Sequence, residues 1–347
     1  MSHFEVVWEI KELKLKNVFT IARGSKASVQ NVFLSIYKDG ITGLGEAGPN
    51  TRYGETSETV TVFFNHFNFD GLKRLNTPEE IEEFISKESE RVKDFNDVSI
   101  PQSAKTAIEM AWMDWWAKSK NKPLWGLLGR EANIGPVSSY TIGLDTVDIM
   151  QRKIKEASQY PLFKIKLGTD HDREIIQGIR QVSDKPLRVD ANEGWKTVSQ
   201  AKKEISYLYD QGVEIIEQPM HSSLKKELSE LKEWSPLPIM ADESFTGVEP
   251  LEEIVESFHI INIKLMKIGS LVKAQRVIDK AHKIGLKVMI GCMIESSLAI
   301  TAGGVLALGC DYADLDGNLL ISNDPFSGLK LLEDGRIVLG DKIGIGV

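Results

Sequence analysis

Between residues 138 and 317, eight short β-rich runs alternate with stretches of helical pattern, and no other feature constrains the fold as much. The runs are "SSYTIG" (138–143), "FKIKLG" (163–168), "LRVDAN" (187–192), "VEIIEQP" (213–219), "PIMADES" (238–244), "HIINIKL" (259–265), "KVMIGCM" (287–293) and "YADLDG" (312–317). Amphipathic segments at 172–182, 197–210, 223–233, 249–257 and 270–284 separate them. Strands alternating with helices build parallel sheets, and eight such strands close into a barrel. Little helical pattern follows the last run, so the spacing predicts an α/β fold, a modified TIM barrel of (β/α)7β rather than (β/α)8 form.

Residues before the barrel read differently. Strand-like runs at 4–16 and 28–38 come first, and "KDG" at 38–40 turns into "ITGLGEAG", a hairpin signal whose glycines read as turn chemistry. Helical patterns follow at 56–67, at 78–88 and from Pro101 through "QSAKTAIEMAWMDWWAKSK", where Ala107, Ile108, Ala111, Trp112, Trp115 and Trp116 form an apolar stripe. Strands followed by helices predict an N-terminal α+β capping domain over 1–132. The barrel is expected over 133–320, with a C-terminal segment, 321–347, returning to the capping domain.

The totals narrow the function. The net charge is −8, from 42 basic and 50 acidic residues, which argues against a nucleic-acid partner. Two cysteines, Cys292 and Cys310, give no disulfide framework and fit a reducing, cytoplasmic compartment. The N-terminus alternates apolar and charged residues and lacks the apolar core of a signal peptide. Residues 288–309 carry one charge, Glu295, over a length that could span a bilayer. A strand at 288–293 followed by a buried helix from about 296 accounts for the same run, and no membrane association is expected. A homo-oligomer is compatible with the sequence.

The polar residues of the barrel half fall at strand ends. Lys166, Asp190, Glu217, Asp242 and Lys264 succeed one another at intervals of 22 to 27 residues, about one βα unit, and Asp314 and Asp316 close the eighth run. These groups therefore recur at one level, on the face where barrels carry their sites. Two lysines on one strand face, Lys164 and Lys166, usually face water. Here they belong to a ring of charges whose burial is costly unless they pair or hold a metal. Oxygen ligands from Asp190, Glu217 and Asp242 suit Mg2+, which leaves coordination positions for a substrate carboxylate. Histidine-led sites are disfavoured, because the six histidines are scattered. A nearby ammonium and a dication would both lower a lysine's pKa and fit it for proton abstraction. Lys166, with Lys164 beside it, and Lys264 across the barrel are then two bases that could work on opposite faces of an α-carbon, with the metal stabilising the enediolate.

"KIKLG", "RVDANEGW", "EQP", "ADES" and "NIKLMKIG", in this order, resemble the enolase superfamily, muconate-lactonizing-enzyme subgroup, along essentially the whole chain. That resemblance implies Mg2+ held by Asp190, Glu217 and Asp242, acid/base roles for Lys166 and Lys264, and an auxiliary role for Lys164. Lys264 rather than Lys267 is the expected partner base, since Asn262, Lys264 and Met266 would share one strand face. "ADLDG" is similar to the D-x-D motif of the dipeptide epimerases, which implies that Asp314 and Asp316 hold a substrate ammonium. The expected reaction is epimerisation at the α-carbon of a dipeptide's C-terminal residue by two-base 1,1-proton transfer. Specificity is expected from loops near 18–26 and 48–56, where Arg23 either binds a substrate carboxylate or pairs within the cap. Glu295 either contacts substrate or caps the next helix. The rival readings are a cycloisomerase or an o-succinylbenzoate-synthase-like lyase, a non-catalytic Mg2+- and ligand-binding barrel, and, less favoured, a metal-dependent hydrolase.

Overall fold

The structure is a computed structural model that describes residues 4–96 and 98–347, so residues 1–3 and 97 of the expected capping domain lie outside the described residues. Apolar alternation in the N-terminal runs produces a three-stranded antiparallel sheet of β1 (Phe4–Ile21), β2 (Gly24–Lys38) and β3 (Ile41–Ala47). Leu13, Val32, Leu34 and Ile36 bury its inner face. Asp39 and Gly40, at φ of 54° and 76°, form the two-residue turn that "KDG" announced.

Two expectations change here. The stretch around 18–26 is not an open loop: Phe19–Ile21 pairs with Gly24–Lys26 after an irregularity that follows Lys14, so the hairpin narrows to a tip at Ala22 and Arg23. The glycines of "ITGLGEAG" are also more than turn residues. A Cβ on Gly43 would lie 2.1 Å from the Ala111 carbonyl oxygen, and one on Gly45 would lie 2.0 Å from that of Ala107. They let helix α3 lie directly on β3.

Helices α1 (Ser57–His66) and α3 (Gln102–Ser119) cover this sheet, and α2 (Pro78–Asn96) packs against α3. Thr56 caps α1 in a capping box with Thr59, and Pro101 is the N-cap of α3, whose first turn is held by the buried Glu55 carboxylate. A short turn, α4 (Leu124–Leu127), and β4 (Ile134–Val137) lead into the barrel.

Eight parallel strands follow, β5 (Tyr140–Ile142), β6 (Phe163–Lys166), β7 (Leu187–Asp190), β8 (Val213–Glu217), β9 (Ile239–Ala241), β10 (Ile260–Lys264), β11 (Lys287–Gly291) and β12 (Tyr312–Asp314), paired in sequence order. The Ser139 N–H donates to the Ala313 carbonyl at 3.2 Å and nearly closes the ring. The connecting helices are α5 (Val147–Glu156), α6 (Asp172–Arg180), α7 (Val198–Asp210), α8 (Lys225–Trp234), α9 (Leu251–Ser257), α10 (Leu265–Ile268), α11 (Leu271–Lys283) and α12 (Ser297–Ala307). The run 288–309 is thus β11 followed by α12, every residue of which is buried. Among the described residues no helix is long and apolar enough to cross a membrane.

Register fixes the level of the charged groups. Lys166 pairs with Asp190 and Asp190 with Glu217, while Lys264 pairs with Gly291 and Gly291 with Asp314. Beyond the barrel, β13 (Lys330–Leu331) and β14 (Arg336–Val338) form a small sheet with β4. Ser322 and Ile345 bond back to Lys14 and Asp114.

Two buried carboxylates of the N-terminal half cap barrel helices. Glu46 accepts from the N–H groups of Ser296 and Ala299 at the start of α12, and Glu109 accepts from Val272 N–H, 2.9 Å away, at the start of α11. Replacing Glu46 with Ala strips these donors of their acceptor. We expect a loss of about 2–4 kcal/mol in urea-unfolding stability, as for a buried charged hydrogen-bond acceptor.

Candidate active site

Inward positions of a barrel are normally filled by bulky apolar side chains, so ionised groups persist there only with partners. The strand ends supply those partners. Asp190, Glu217 and Asp242 are all buried, and one carboxylate oxygen from each lies within 4.8 Å of the others. The Lys166 ammonium sits 2.5 Å from Asp190 Oδ2, and the Lys264 ammonium 2.8 Å from Asp242 Oδ2. Lys164 lies at the centre of the charges, 2.6 Å from Glu217, 2.8 Å from Asp314 and 3.5 Å from Asp190.

Neutral groups aim the carboxylates. Asn192 N–H donates to Asp190 Oδ1 and Asn262 Nδ2 to Glu217 Oε1, while Gln218 Oε1 accepts from the backbone N–H of Asp242 and holds the chain there. Asn192, Glu193 and Gln218 all hold positive φ, at 45°, 64° and 35°. Strain of this kind in non-glycine residues persists where surrounding contacts over-determine the loop. Gly168 and Gly194 permit the close contact beneath: a Cβ on Gly194 would lie 2.2 Å from Gly168 Cα.

Burial raises Asp190 and Asp242, but the lysines outweigh it. Lys166 and Lys164 hold Asp190 below the usual carboxylate range, and Lys264 and Lys267 hold Asp242 well below it. Glu217 has less help, and burial together with Asp190 pushes it up to about 7. The Lys164 ammonium is close to Glu217 Oε2, yet no hydrogen bond is directed at that buried oxygen. An oxygen-only triad in which one buried carboxylate oxygen receives no hydrogen bond fits a hard divalent cation.

The lysines differ from expectation in one respect. Burial opposes their charge, but Asp314, Glu217 and Asp190 raise Lys164 well above its ordinary value, and Asp242 raises Lys264. Within the protein alone the carboxylates win over the neighbouring ammonium. The expected lowering needs a dication to neutralise those carboxylates as well.

Lys267 also stands elsewhere than the strand pattern implied. The strand ends at Lys264, and α10 begins at once, so Met266 and Lys267 belong to a helical turn and not to a strand face. That turn swings the buried Lys267 back, where its ammonium donates to Asp242 Oδ1, to the Asp242 carbonyl and to the Phe245 carbonyl. It holds the carboxylate from the side opposite Lys264.

A cavity of about 480 Å3 opens above the carboxylates. Lys164, Lys166, Lys264, Asp242, Asp314 and Asp316 line its floor and walls, and Phe19, Ile21, Arg23 and Tyr53 reach over it from the N-terminal half. Arg23 is one-third exposed and donates to Glu243 Oε1 at 2.6 Å and to the Asn192 carbonyl at 3.0 Å, so it pairs with the barrel rather than within the cap. Glu295 is not among the residues that line the cavity. Its Oε1 accepts from the Met293 N–H, while Ser296 caps α12. Burial pushes the Glu295 carboxyl up to about 8. Sequence reasoning missed Glu193, which binds Arg52 at 2.7 Å, and Glu243. Each follows a predicted ligand within the quoted motifs "DANEGW" and "ADES", but spacing along a strand says nothing about the direction of a loop side chain.

Residues 4–129 match the mandelate racemase / muconate lactonizing enzyme N-terminal domain, and residues 147–347 match the enolase C-terminal domain-like model. The chain belongs to this family. It is 39% identical over 339 residues to the L-Ala-D/L-Glu epimerase of Bacteroides thetaiotaomicron, covering 97% of this chain and 85% of that one. It is 37% identical to the L-Ala-D/L-amino acid epimerase of Pedosphaera parvula, covering 97% of both. Its structure is similar to that of the dipeptide epimerase of Enterococcus faecalis V583 complexed with Mg and the dipeptide L-Leu-L-Tyr, with a TM-score of 0.86, 31% identity and coverage of 100% of this chain and 99% of that one.

A proton on Glu217 competes with any cation in the triad. Mg2+ affinity measured calorimetrically should therefore fall as the pH drops below about 7 and level off above it. Asp190→Asn should weaken Mg2+ binding by roughly 100-fold or more at any pH.

Proposed function

We propose that the protein is a Mg2+-dependent dipeptide epimerase, an isomerase that inverts the α-carbon of the C-terminal residue. The observation that carries this reading is the layout of the ring. Lys166 on β6 and Lys264 on β10 stand four strands apart in an eight-stranded barrel, which is diametrically opposite. The carboxylate triad on β7, β8 and the end of β9 lies between them on one side, and Asp314 at the end of β12 faces Glu217 from the other. A dipeptide spans that arrangement with its carboxylate toward the triad, its ammonium toward Asp314 and Asp316, and its second α-carbon between the lysines.

In this reading one lysine takes the α-proton from one face, and the C–H electron pair moves toward the carboxylate. The protonated lysine opposite delivers a proton to the other face, so the two lysines exchange protonation states in each turnover. Mg2+ held by Asp190, Glu217 and Asp242 supplies positive charge where that electron pair accumulates. Lys164 and Lys267 remain bound to carboxylates and keep the triad in place. The epimerase names of the relatives, over nearly the full length of the chain, support the same reaction and the same metal. The acidic wall at Asp314 and Asp316 favours a substrate with a free ammonium over cycloisomerase or synthase substrates, which carry none. We further read the enzyme as acting in the cytoplasm and without a nucleic-acid partner, in keeping with its two free cysteines and its net charge of −8.

The test is α-deuterium incorporation by mass spectrometry on a pooled dipeptide library in D2O with Mg2+. The library spans acidic and apolar second residues, because a guanidinium and an apolar wall both border that end of the cavity. We expect mass gain in a subset of dipeptides, abolished by EDTA. No gain in any dipeptide, with the fold and metal binding verified, would reject the reading.

A further inference from the structure

A second cavity, of about 180 Å3, lies behind the first. Phe19, Thr141 and Leu320 line both, so a wall one residue thick separates them. On its far side the space is bordered by Ala157, just past the end of α5, and by the stacked rings of Tyr140 and Tyr160, whose centroids lie 4.2 Å apart.

Distant segments build the wall and hold it in place. Gly317–Leu320 forms a turn of 3-10 helix directly after Asp316. A Cβ on Gly317 would lie 2.4 Å from the Met293 carbonyl oxygen, so this turn sits hard against the segment that follows β11. The next residues are bonded to β1: Ile321 pairs with Leu15, and the Ser322 N–H donates to the Lys14 carbonyl at 2.8 Å. Phe19 comes from the end of the same strand. It lies over the exit of β5 because residue 143 is glycine, where a Cβ would come within 3.1 Å of the ring.

Asp316 stands at the foot of this wall. Its Oδ2 accepts from the Thr141 N–H at 2.5 Å, and burial together with the charge of Asp316 pushes the Tyr140 phenol up to about 12. A dipeptide with its ammonium toward the aspartates and its carboxylate toward the triad has two bonds of its first α-carbon committed to those directions. The side chain on that carbon then points away from the triad, toward Phe19, Thr141 and Leu320. A fixed wall there admits a small side chain and clashes with a branched or aromatic one.

We propose that Phe19 and Leu320 determine which N-terminal residue the enzyme accepts: they restrict it to a small side chain, and they alone close the cavity behind them to substrate. The proposal rests on the dipeptide-epimerase reading and deepens it by naming the substrate class at the first position.

The experiment uses two dipeptides that carry Ala or Leu first and share a second residue that the wild-type enzyme turns over. The quantity read is the ratio of kcat/KM for the Leu dipeptide to that for the Ala dipeptide. We expect a wild-type ratio of about 0.1 or lower. In Leu320→Ala the ratio should rise by about 10-fold or more, because truncation joins the two cavities. Phe19→Ala should move it in the same direction, and serves alone if Leu320→Ala does not fold. Ala157→Leu, added to either variant, refills the rear cavity and should return the ratio toward the wild-type value, which a merely loosened site would not do. A wild-type ratio near one, no rise in either variant, or a rise that Ala157→Leu leaves intact overturns the proposal. Failure of the underlying reading would appear separately, as a wild-type enzyme that exchanges no dipeptide α-proton.

Discussion

Asp190, Glu217, Asp242, Asp314 and Asp316 share the mouth of this barrel with the ammonium groups of Lys164, Lys166, Lys264 and Lys267, with little access to water, and the rest of the site depends on how they neutralise one another. Lys164 is the hub, in contact with Glu217, Asp314 and Asp190 at once. Removing one partner from a buried ion pair leaves the other uncompensated at a cost of about 3–5 kcal/mol, so each member constrains its neighbours. The arrangement is also incomplete in two places, at Glu217 and at Asp316, whose carboxyls stand near 7. A dication and an ammonium would complete the balance at those two places.

Orientation comes from outside the ring. The side chains of Asn262 and Lys267 hold the Glu217 and Asp242 carboxylates, and Gln218 holds the Asp242 backbone, so the carboxylates are aimed before any ligand arrives. The N-terminal half is tied to the same loops. Arg23 and Arg52 reach Glu243 and Glu193, which stand one and three residues beyond Asp242 and Asp190 of the triad. Glu46 and Glu109 meanwhile cap barrel helices from the far side of the interface. The roof of the cavity and the triad are therefore coupled through short covalent and ionic connections.

Much of this was legible in the sequence because barrel strands repeat at near-constant spacing. A charged residue at the end of each run must recur at one depth, and the observed pairing of Lys166, Asp190 and Glu217 is the direct expression of that. Pattern reasoning failed where the backbone leaves regular structure. Lys267 was assigned by strand alternation, but a helical turn begins one residue after Lys264 and reverses its direction. Phe19–Ile21 read as loop because the irregularity after Lys14 breaks the alternation on which strand recognition rests. Gly43 and Gly45 read as turn chemistry, since the helix that needs their missing Cβ atoms is some sixty residues away in sequence. The commitments of Arg23 and of Asp314 are tertiary facts, set by Glu243 for the first and by Lys164 and Ser139 for the second, which no local window joins.

The central claim is that Lys166 and Lys264 serve opposite faces of one α-carbon, and its most direct test is stereochemical. Lys166→Ala and Lys264→Ala would each be incubated in D2O with Mg2+ and, separately, with the L,L dipeptide and its C-terminal D epimer. The account predicts that neither variant epimerises, that each still exchanges the α-proton of one epimer, and that the two variants exchange opposite epimers. Variants that exchange the same epimer, or a single-lysine variant that still interconverts the two, would contradict the two-base account.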